Sequence, residues 1–344
     1  MHARRLCPGI LLSLSLAAVV VVVVLAVSAG HAPVAGGSPR TSGASATASP
    51  TAVPTWRLAS YRKVGFDRSF KADLIDELPE PPRLVVFGGS RSTRFEPQYF
   101  LERAGLPAVN CSVQNCRPTD AWAFASYLFS RAPDVKLRCV FAVQTATFAD
   151  ATLHPGLLYD PRLSSAFPEE LVTQQKTLAG KPRRREVLGR NRFSARGLLT
   201  RNAYDIRRSR PGYSRSRHLD GYIRRLRPKY TWTGRTRGSR SRLYFEKTMR
   251  LFNDHGVVPA IVIMPYHPRA LRAFRKVGFQ RQVDALRAYL RDARTRCDFR
   301  VLDLLTVESF GGRKRWFYDG AHVTKENSRL IARHALRTQP DCFR

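Results

Sequence analysis

Arg83-Leu-Val-Val-Phe-Gly-Gly-Ser-Arg-Ser92 is the stretch on which the fold turns. A short apolar run closed by two glycines is a buried strand feeding a tight turn, with a serine held where the strand stops. Working outward, the same pattern recurs. Ala108-Val-Asn110 is a short second strand, and Pro118 to Phe129 has the spacing of a helix. Leu137 to Val143 is a third strand, and Val257 to Met264 a fourth after His255-Gly256. Phe279 to Arg294 is helical, with Val283, Leu286, Tyr289 and Leu290 on one face. Arg300 to Leu305 gives the last strand, and Thr324 to Leu336 a terminal helix with Thr324 as its N-cap. Near-continuous apolar strands alternating with helices specify an α/β fold with a parallel sheet covered on both faces. Functional residues collect at the carboxyl ends of such strands, which puts Ser90, Asn110, Gln144 and Pro265 on one rim.

The chain has 344 residues, with 59 Lys+Arg against 26 Asp+Glu and a formal net charge of +33. At 43% hydrophobic it has the material for a core, which excludes a wholly disordered or collagen-like chain. Arg4 and Arg5 precede an almost wholly apolar run from Ile10 to Ala29, including the six valines Val19 to Val24. Twenty helical residues span about 30 Å, a bilayer core, and the positive flank favours a cytoplasmic start with the rest outside. Val27-Ser-Ala29 also resembles a small-residue cleavage site, so residues 1–30 are either a membrane anchor or a removed signal peptide. Residues 31–55 are almost entirely Ala, Gly, Ser, Thr and Pro, the composition of a flexible stalk. The remaining residues, 56–344, carry the folded domain.

That domain is interrupted by a basic stretch over about 149–249. Within Lys181–Arg250 there are 23 basic and four acidic residues. Its apolar content, including Leu198, Leu199, Tyr222, Ile223, Leu226, Leu243, Tyr244 and Phe245, is too high for a tail; a mostly helical insertion is expected. It is either a solvated Arg-rich cap or an electrostatic surface that attracts anionic envelope polymer or lipid headgroups. An exported chain without a recognised nucleic-acid motif is a poor candidate for binding RNA or DNA. Five cysteines follow the apolar segment. In an oxidising compartment Cys111 with Cys116 and Cys297 with Cys342 are candidate bridges, leaving Cys139 as the free thiol. No Cys-x-x-Cys or His-x-x-x-His spacing suggests zinc, so no metal is expected.

The chemistry-bearing residues lie at opposite ends of the α/β pattern. Ser90 follows the first strand, and Phe317-Tyr-Asp-Gly-Ala-His322 precedes the last helix. A three-residue spacing sets a carboxylate beside an imidazole in one turn. Asp319 would orient His322, and His322 would take the proton from Ser90, a poor nucleophile without a base. His267, in Met264-Pro-Tyr-His-Pro268, should reach the same rim as a substrate contact or second base, or be a histidine packed in a rigid loop. His154 and His255 are expected to be packing residues, and Asp303 a rim residue bonded to backbone.

In these blocks the chain resembles the SGNH/GDSL hydrolase superfamily, especially membrane-anchored extracytoplasmic members related to teichoic-acid D-alanylation and polysaccharide O-acetylation proteins. The residues that carry the resemblance are Phe87-Gly-Gly-Ser90, Ala108-Val-Asn-Cys-Ser-Val-Gln-Asn-Cys-Arg-Pro-Thr-Asp120 and Asp319-Gly-Ala-His322. It spans about residues 83–148 and 255–337. The resemblance implies a flavodoxin-like three-layer α/β/α sandwich and a Ser90-His322-Asp319 triad that cleaves or transfers acyl esters with no metal, nucleotide or other cofactor. It also implies oxyanion donors, for which Gly89, Asn115 and Gln144 are the candidates. The chain departs from the family pattern at three places. Gly89 stands where Asp is usual, Asn115 where a glycine is usual, and Ala142-Val-Gln-Thr145 where Gly-x-Asn-Asp is usual. Gln144 is then either an amide donor or a strand cap. The expected substrate is a cell-envelope glycan, polyol phosphate or lipid. The alternative is an inactive module of this type that binds anionic envelope polymer or lipid through its basic insertion. A metal-dependent phosphoesterase would need acidic ligand clusters that the sequence lacks.

Overall fold

The five apolar runs form one parallel sheet in the computed structural model, which describes residues 67–149, 153–158, 160–169, 192–231 and 238–344. The expected membrane segment over 1–30 and stalk over 31–55 lie outside these residues. Among the described residues no helix is long and apolar enough to cross a membrane. The strands are β1 (Leu84–Gly88), β2 (Ala108–Asn110), β3 (Arg138–Val143), β4 (Arg192–Phe193), β5 (Leu199–Arg201), β6 (Ala260–Ile263) and β7 (Arg300–Asp303). β4 and β5 make a separate antiparallel ribbon, and the others form a sheet in the order β2-β1-β3-β6-β7. Counting only the strands of that sheet, the order is the doubly wound one in which the chain reverses direction beside its first strand. The register pairs Gly88 with Ala142, Val143 with Ile263 and Ile263 with Asp303, so the carboxyl ends of neighbouring strands share one rim.

Alternation along the strands divides the core in two. Val85, Phe87, Cys139, Phe141, Val143, Ile261 and Ile263 face one side, and Leu84, Val86, Val140, Ala142, Ala260 and Val262 face the other. The longer helices are α1 (Asp67–Asp76), α2 (Pro97–Ala104), α3 (Pro118–Arg131), α4 (Arg215–Leu226), α5 (Ser239–Asp254), α6 (Pro268–Arg275), α7 (Phe279–Ala293) and α8 (Lys325–Thr338). Phe124 and Leu128 of α3, Phe245, Met249 and Phe252 of α5, and Val283, Leu286 and Leu290 of α7 cover the first face. Phe100 of α2 and Ile331, Ala332 and Ala335 of α8 cover the second. The result is helix, sheet and helix in three layers. Thr324 stands at the N-cap of α8, but its hydroxyl donates to Trp316 O at 3.2 Å instead of capping the helix.

Two expectations change. The stretch expected as an insertion over about 149–249 ends in α5, which is the helix linking β3 to β6 and lies directly on the sheet. Its exposed Arg242, Lys247 and Arg250 share the basic character of the insertion, and this masks the apolar face formed by Tyr244, Phe245, Met249 and Phe252. The proposed disulfides are absent: Cys111, Cys116, Cys139, Cys297 and Cys342 are all buried free thiols. Cys297 lies in the core on one side of the sheet and Cys342 in the core on the other, so the sheet separates them. Cys116 instead donates to Arg117 O at 3.5 Å, and burial pushes the Cys111 thiol up to about 12, where it is unreactive.

Candidate active site

The serine turn is fixed before Ser90 is reached. Gly88 has φ +151°, and a Cβ there would lie 2.3 Å from Ser92 Oγ and 2.8 Å from Ala142 O, so only glycine fits. Ser92 Oγ donates to Gly89 O at 2.9 Å and lies 2.8 Å from Ser112 Oγ. Asn110, fully buried at the end of β2, donates from Nδ2 to Ser92 O and Phe95 O, both at 2.9 Å. Thr93 Oγ1 donates to Ser90 O at 2.9 Å. The serine backbone is thus clamped from both sides while its side chain stays exposed.

The second half is a tight loop between β7 and α8. Tyr318 N donates to His322 O at 2.8 Å, and Phe317 bridges to Val323. Inside it, Asp319 is 2% exposed and accepts from Ala321 N at 2.8 Å and His322 N at 2.9 Å. His322 Nδ1 is 2.8 Å from Asp319 Oδ2 and 3.0 Å from Oδ1. Burial pushes the Asp319 carboxyl up, but the His322 ring and these backbone N–H groups outweigh it and bring it down to about 2. An ionised carboxylate only accepts, so Nδ1 carries the proton in the neutral ring and Nε2 presents a lone pair. That Nε2 lies 2.9 Å from Ser90 Oγ, across 232 positions of chain.

The other expected residues gather around this pair with different roles. Gly89 has open space: a Cβ there would meet nothing nearer than Gln144 Nε2 at 3.9 Å. The half-buried Gln144 side chain therefore reaches the serine turn, while its backbone N–H donates to Thr147 Oγ1 at 3.0 Å. Asn115 has φ +52°, the glycine-like backbone conformation, in a turn that rests on the serine loop through Val113 N to Gly88 O at 3.0 Å. His267 does not meet Ser90. Its Nδ1 accepts from Arg269 N at 3.2 Å, capping α6, and its backbone N–H donates to Gly320 O at 3.0 Å. Burial and the cations Arg269 and Arg272 bring this imidazole down to about 4, so it is neutral. His154 Nδ1 accepts from Gly156 N, His255 stacks on Phe129, and Asp303 accepts from Leu305 N and pairs with Arg287 at 2.6 Å.

Sequence reasoning missed the parts that the insertion and α1 bring to the rim. The Tyr222 ring on α4 stands edge-on to His322, with centroids 6.2 Å apart. Gly320 lies beneath it, where a Cβ would come within 2.6 Å of the Tyr222 ring. Asp205 pairs with Arg94 beyond the serine turn and accepts from Tyr318 OH at 2.8 Å, tying the serine turn and the Asp319–His322 loop to the insertion. Arg91 is buried, with its guanidinium 3.9 Å over Tyr266 and donating to Tyr230 OH at 3.3 Å. Lys71 of α1 donates to Asn110 O and Gly197 O, both at 2.6 Å, and burial lowers its ammonium to about 8. Apolar residues within a basic stretch, Tyr222 above all, were the available signal for this cover.

The fold and side-chain geometry define an α/β protein with a Ser-His-Asp constellation at the carboxyl rim of its parallel sheet. No protein-family model matches the chain, and no curated protein matches it.

Proposed function

We propose that this chain is an exported, membrane-tethered serine esterase or O-acyltransferase of the SGNH/GDSL type, acting on a cell-envelope glycan, polyol phosphate or lipid. The observation that carries the reading is the 2.9 Å contact of Ser90 Oγ with His322 Nε2, with Asp319 on the opposite ring nitrogen. Ser90 Oγ attacks the ester carbonyl carbon while His322 Nε2 takes its proton. The tetrahedral adduct collapses, the C–O bond to the alcohol breaks, and the departing alkoxide receives the proton from Nε2. Water or an acceptor hydroxyl then loses its proton to His322 and attacks acyl-Ser90. Collapse of the second adduct frees Ser90 Oγ, which regains the proton. Asp319 keeps the Nδ1–H tautomer and stabilises the imidazolium. Backbone N–H of Ser90 and Asn115 and the Gln144 side-chain amide are the donors for the oxyanion.

A serine-reactive fluorophosphonate probe tests this reading. The folded chain should be labelled, Ser90→Ala should not, and His322→Ala should label far more slowly. No labelling of folded wild-type chain overturns the enzyme reading and leaves the inactive module that binds anionic envelope polymer or lipid.

A further inference from the structure

Behind the catalytic loop, a cleft of about 930 Å³ opens between the insertion and the helix that follows β6. One wall is α4 and the turn after it, with Asp220, Ile223, Arg224, Arg227, Pro228 and Thr231; the other is α6 and its exit, with Arg269, Arg272, Ala273, Lys276 and Val277. Neither Ser90 nor His322 lines it. The walls are braced by Arg269, which pairs with Asp220 at 2.6 Å and donates to Ser216 Oγ at 3.1 Å.

The remaining cations have no such duty. Among the described residues no carboxylate pairs with Arg224, Arg227, Arg272 or Lys276. Arg269 and Arg272 of α6 and Lys276 just after it recur at helical spacing, and all three line the cleft. The same cleft is lined by Ile223, Ala273 and Val277, half-buried apolar side chains, and by the exposed Pro228. Arginine and lysine lay their aliphatic stems along such a surface and keep their charged ends at its margin. An uncharged sugar makes no use of four unpaired cations, and a wholly polar polyanion makes no use of an apolar floor. A ligand with an anionic head and an apolar chain uses both.

We propose that this cleft binds an anionic amphiphile, a phosphate group carrying acyl or alkyl chains, with the phosphate on Arg224, Arg227, Arg272 and Lys276 and the first part of the chain against Ile223, Ala273 and Val277. The binding does not depend on the chemistry at Ser90.

Calorimetric titration of the full chain with dihexanoylphosphatidate, below its micelle concentration, tests the assignment. Three comparison probes separate its parts: inorganic phosphate for charge alone, dihexanoylphosphatidylcholine for chains without net charge, and oligo(glycerol phosphate) for a polyanion without chains. The phosphatidate should bind at least about tenfold more tightly than each. Arg224→Glu with Arg272→Glu should weaken it by about tenfold or more, and the uncharged Val277→Asn should weaken the phosphatidate but not inorganic phosphate. Should the double reversal fail to fold, Arg224→Gln with Arg272→Gln replaces it, with a smaller loss in the same direction. Equal affinity for any comparison probe, or unchanged phosphatidate binding in the folded charge variants, overturns the proposal. Fluorophosphonate labelling of Ser90 is read in the same samples: labelling without lipid binding removes the cleft alone, and lipid binding without labelling removes the esterase reading alone.

Discussion

At Gly88 the backbone turns through φ +151° with Ser92 and Ala142 packed against the position of a Cβ, whereas at Gly89 the nearest atom is 3.9 Å away. Gly88→Ala should therefore cost about 1–3 kcal/mol in denaturant unfolding and disturb the serine turn, while Gly89→Ala should change stability by less than about 0.5 kcal/mol. The sequence shows two adjacent glycines and gives no reason to rank them. The ranking comes from how the turn folds Ser92 back and from Ala142 of β3, which pairs with Gly88 across the sheet. The Asp319 contribution was more legible, because a carboxylate three residues before a histidine is a local pattern. Asp319→Asn supplies an amide that can donate to Nδ1 and favour the wrong tautomer, so acylation should fall by roughly 10³–10⁴. The folded carboxyl titrates at about 2, below an unfolded value of about 3.9, so its stabilisation is present above pH 4 and lost as pH falls toward 2. Acid unfolding of Asp319→Asn, followed by circular dichroism, should have a shallower slope across that window.

Among the elements, the five strands of the parallel sheet and α3, α7 and α8 were legible because apolar runs and helical spacing are local and unbroken there, whereas the β4–β5 ribbon lies in a stretch expected to be mostly helical. α5 was not, because its exposed face continues the arginine-rich composition before it while its buried face carries only four well-spaced large side chains. α1 was missed for a related reason: its decisive groups are charged. Arg68 is fully buried and donates from Nε to Asp120 Oδ1 at 2.6 Å, while Asp120 Oδ2 accepts from Arg117 N at 2.7 Å at the start of α3. Removing Asp120 leaves the buried Arg68 guanidinium with only the partly exposed Asp67 carboxylate, 3.0 Å away. Asp120→Ala should cost about 3–5 kcal/mol in chemical unfolding, and replacing both partners together, as Arg68→Met with Asp120→Leu, should recover much of it. A double variant no more stable than Asp120→Ala would show that the charges are not the element's anchor.

Across the whole molecule the rim belongs to three regions distant in sequence: the serine turn, the loop before α8, and the insertion. Asp205 joins all three through Arg94 and Tyr318, so Asp205→Ala should slow labelling of Ser90 while leaving the melting of the sheet core nearly unchanged. Net charge and composition showed that the insertion exists and is basic; they could not show that Tyr222 covers His322, because that contact depends on how α4 docks. The juxtaposition of Ser90 with His322 was legible only as an expectation, since two separate segments each had to end at the same rim. Acyl transfer to Ser90 is the most direct test of what that juxtaposition does. The full chain is incubated with an activated acetyl ester, quenched in acid, digested and weighed by mass spectrometry. The acetyl group should be found on the peptide containing Ser90, absent from Ser90→Ala and much reduced in His322→Ala. Ester consumption no faster than with Ser90→Ala, with no acetylated Ser90 peptide, would contradict it.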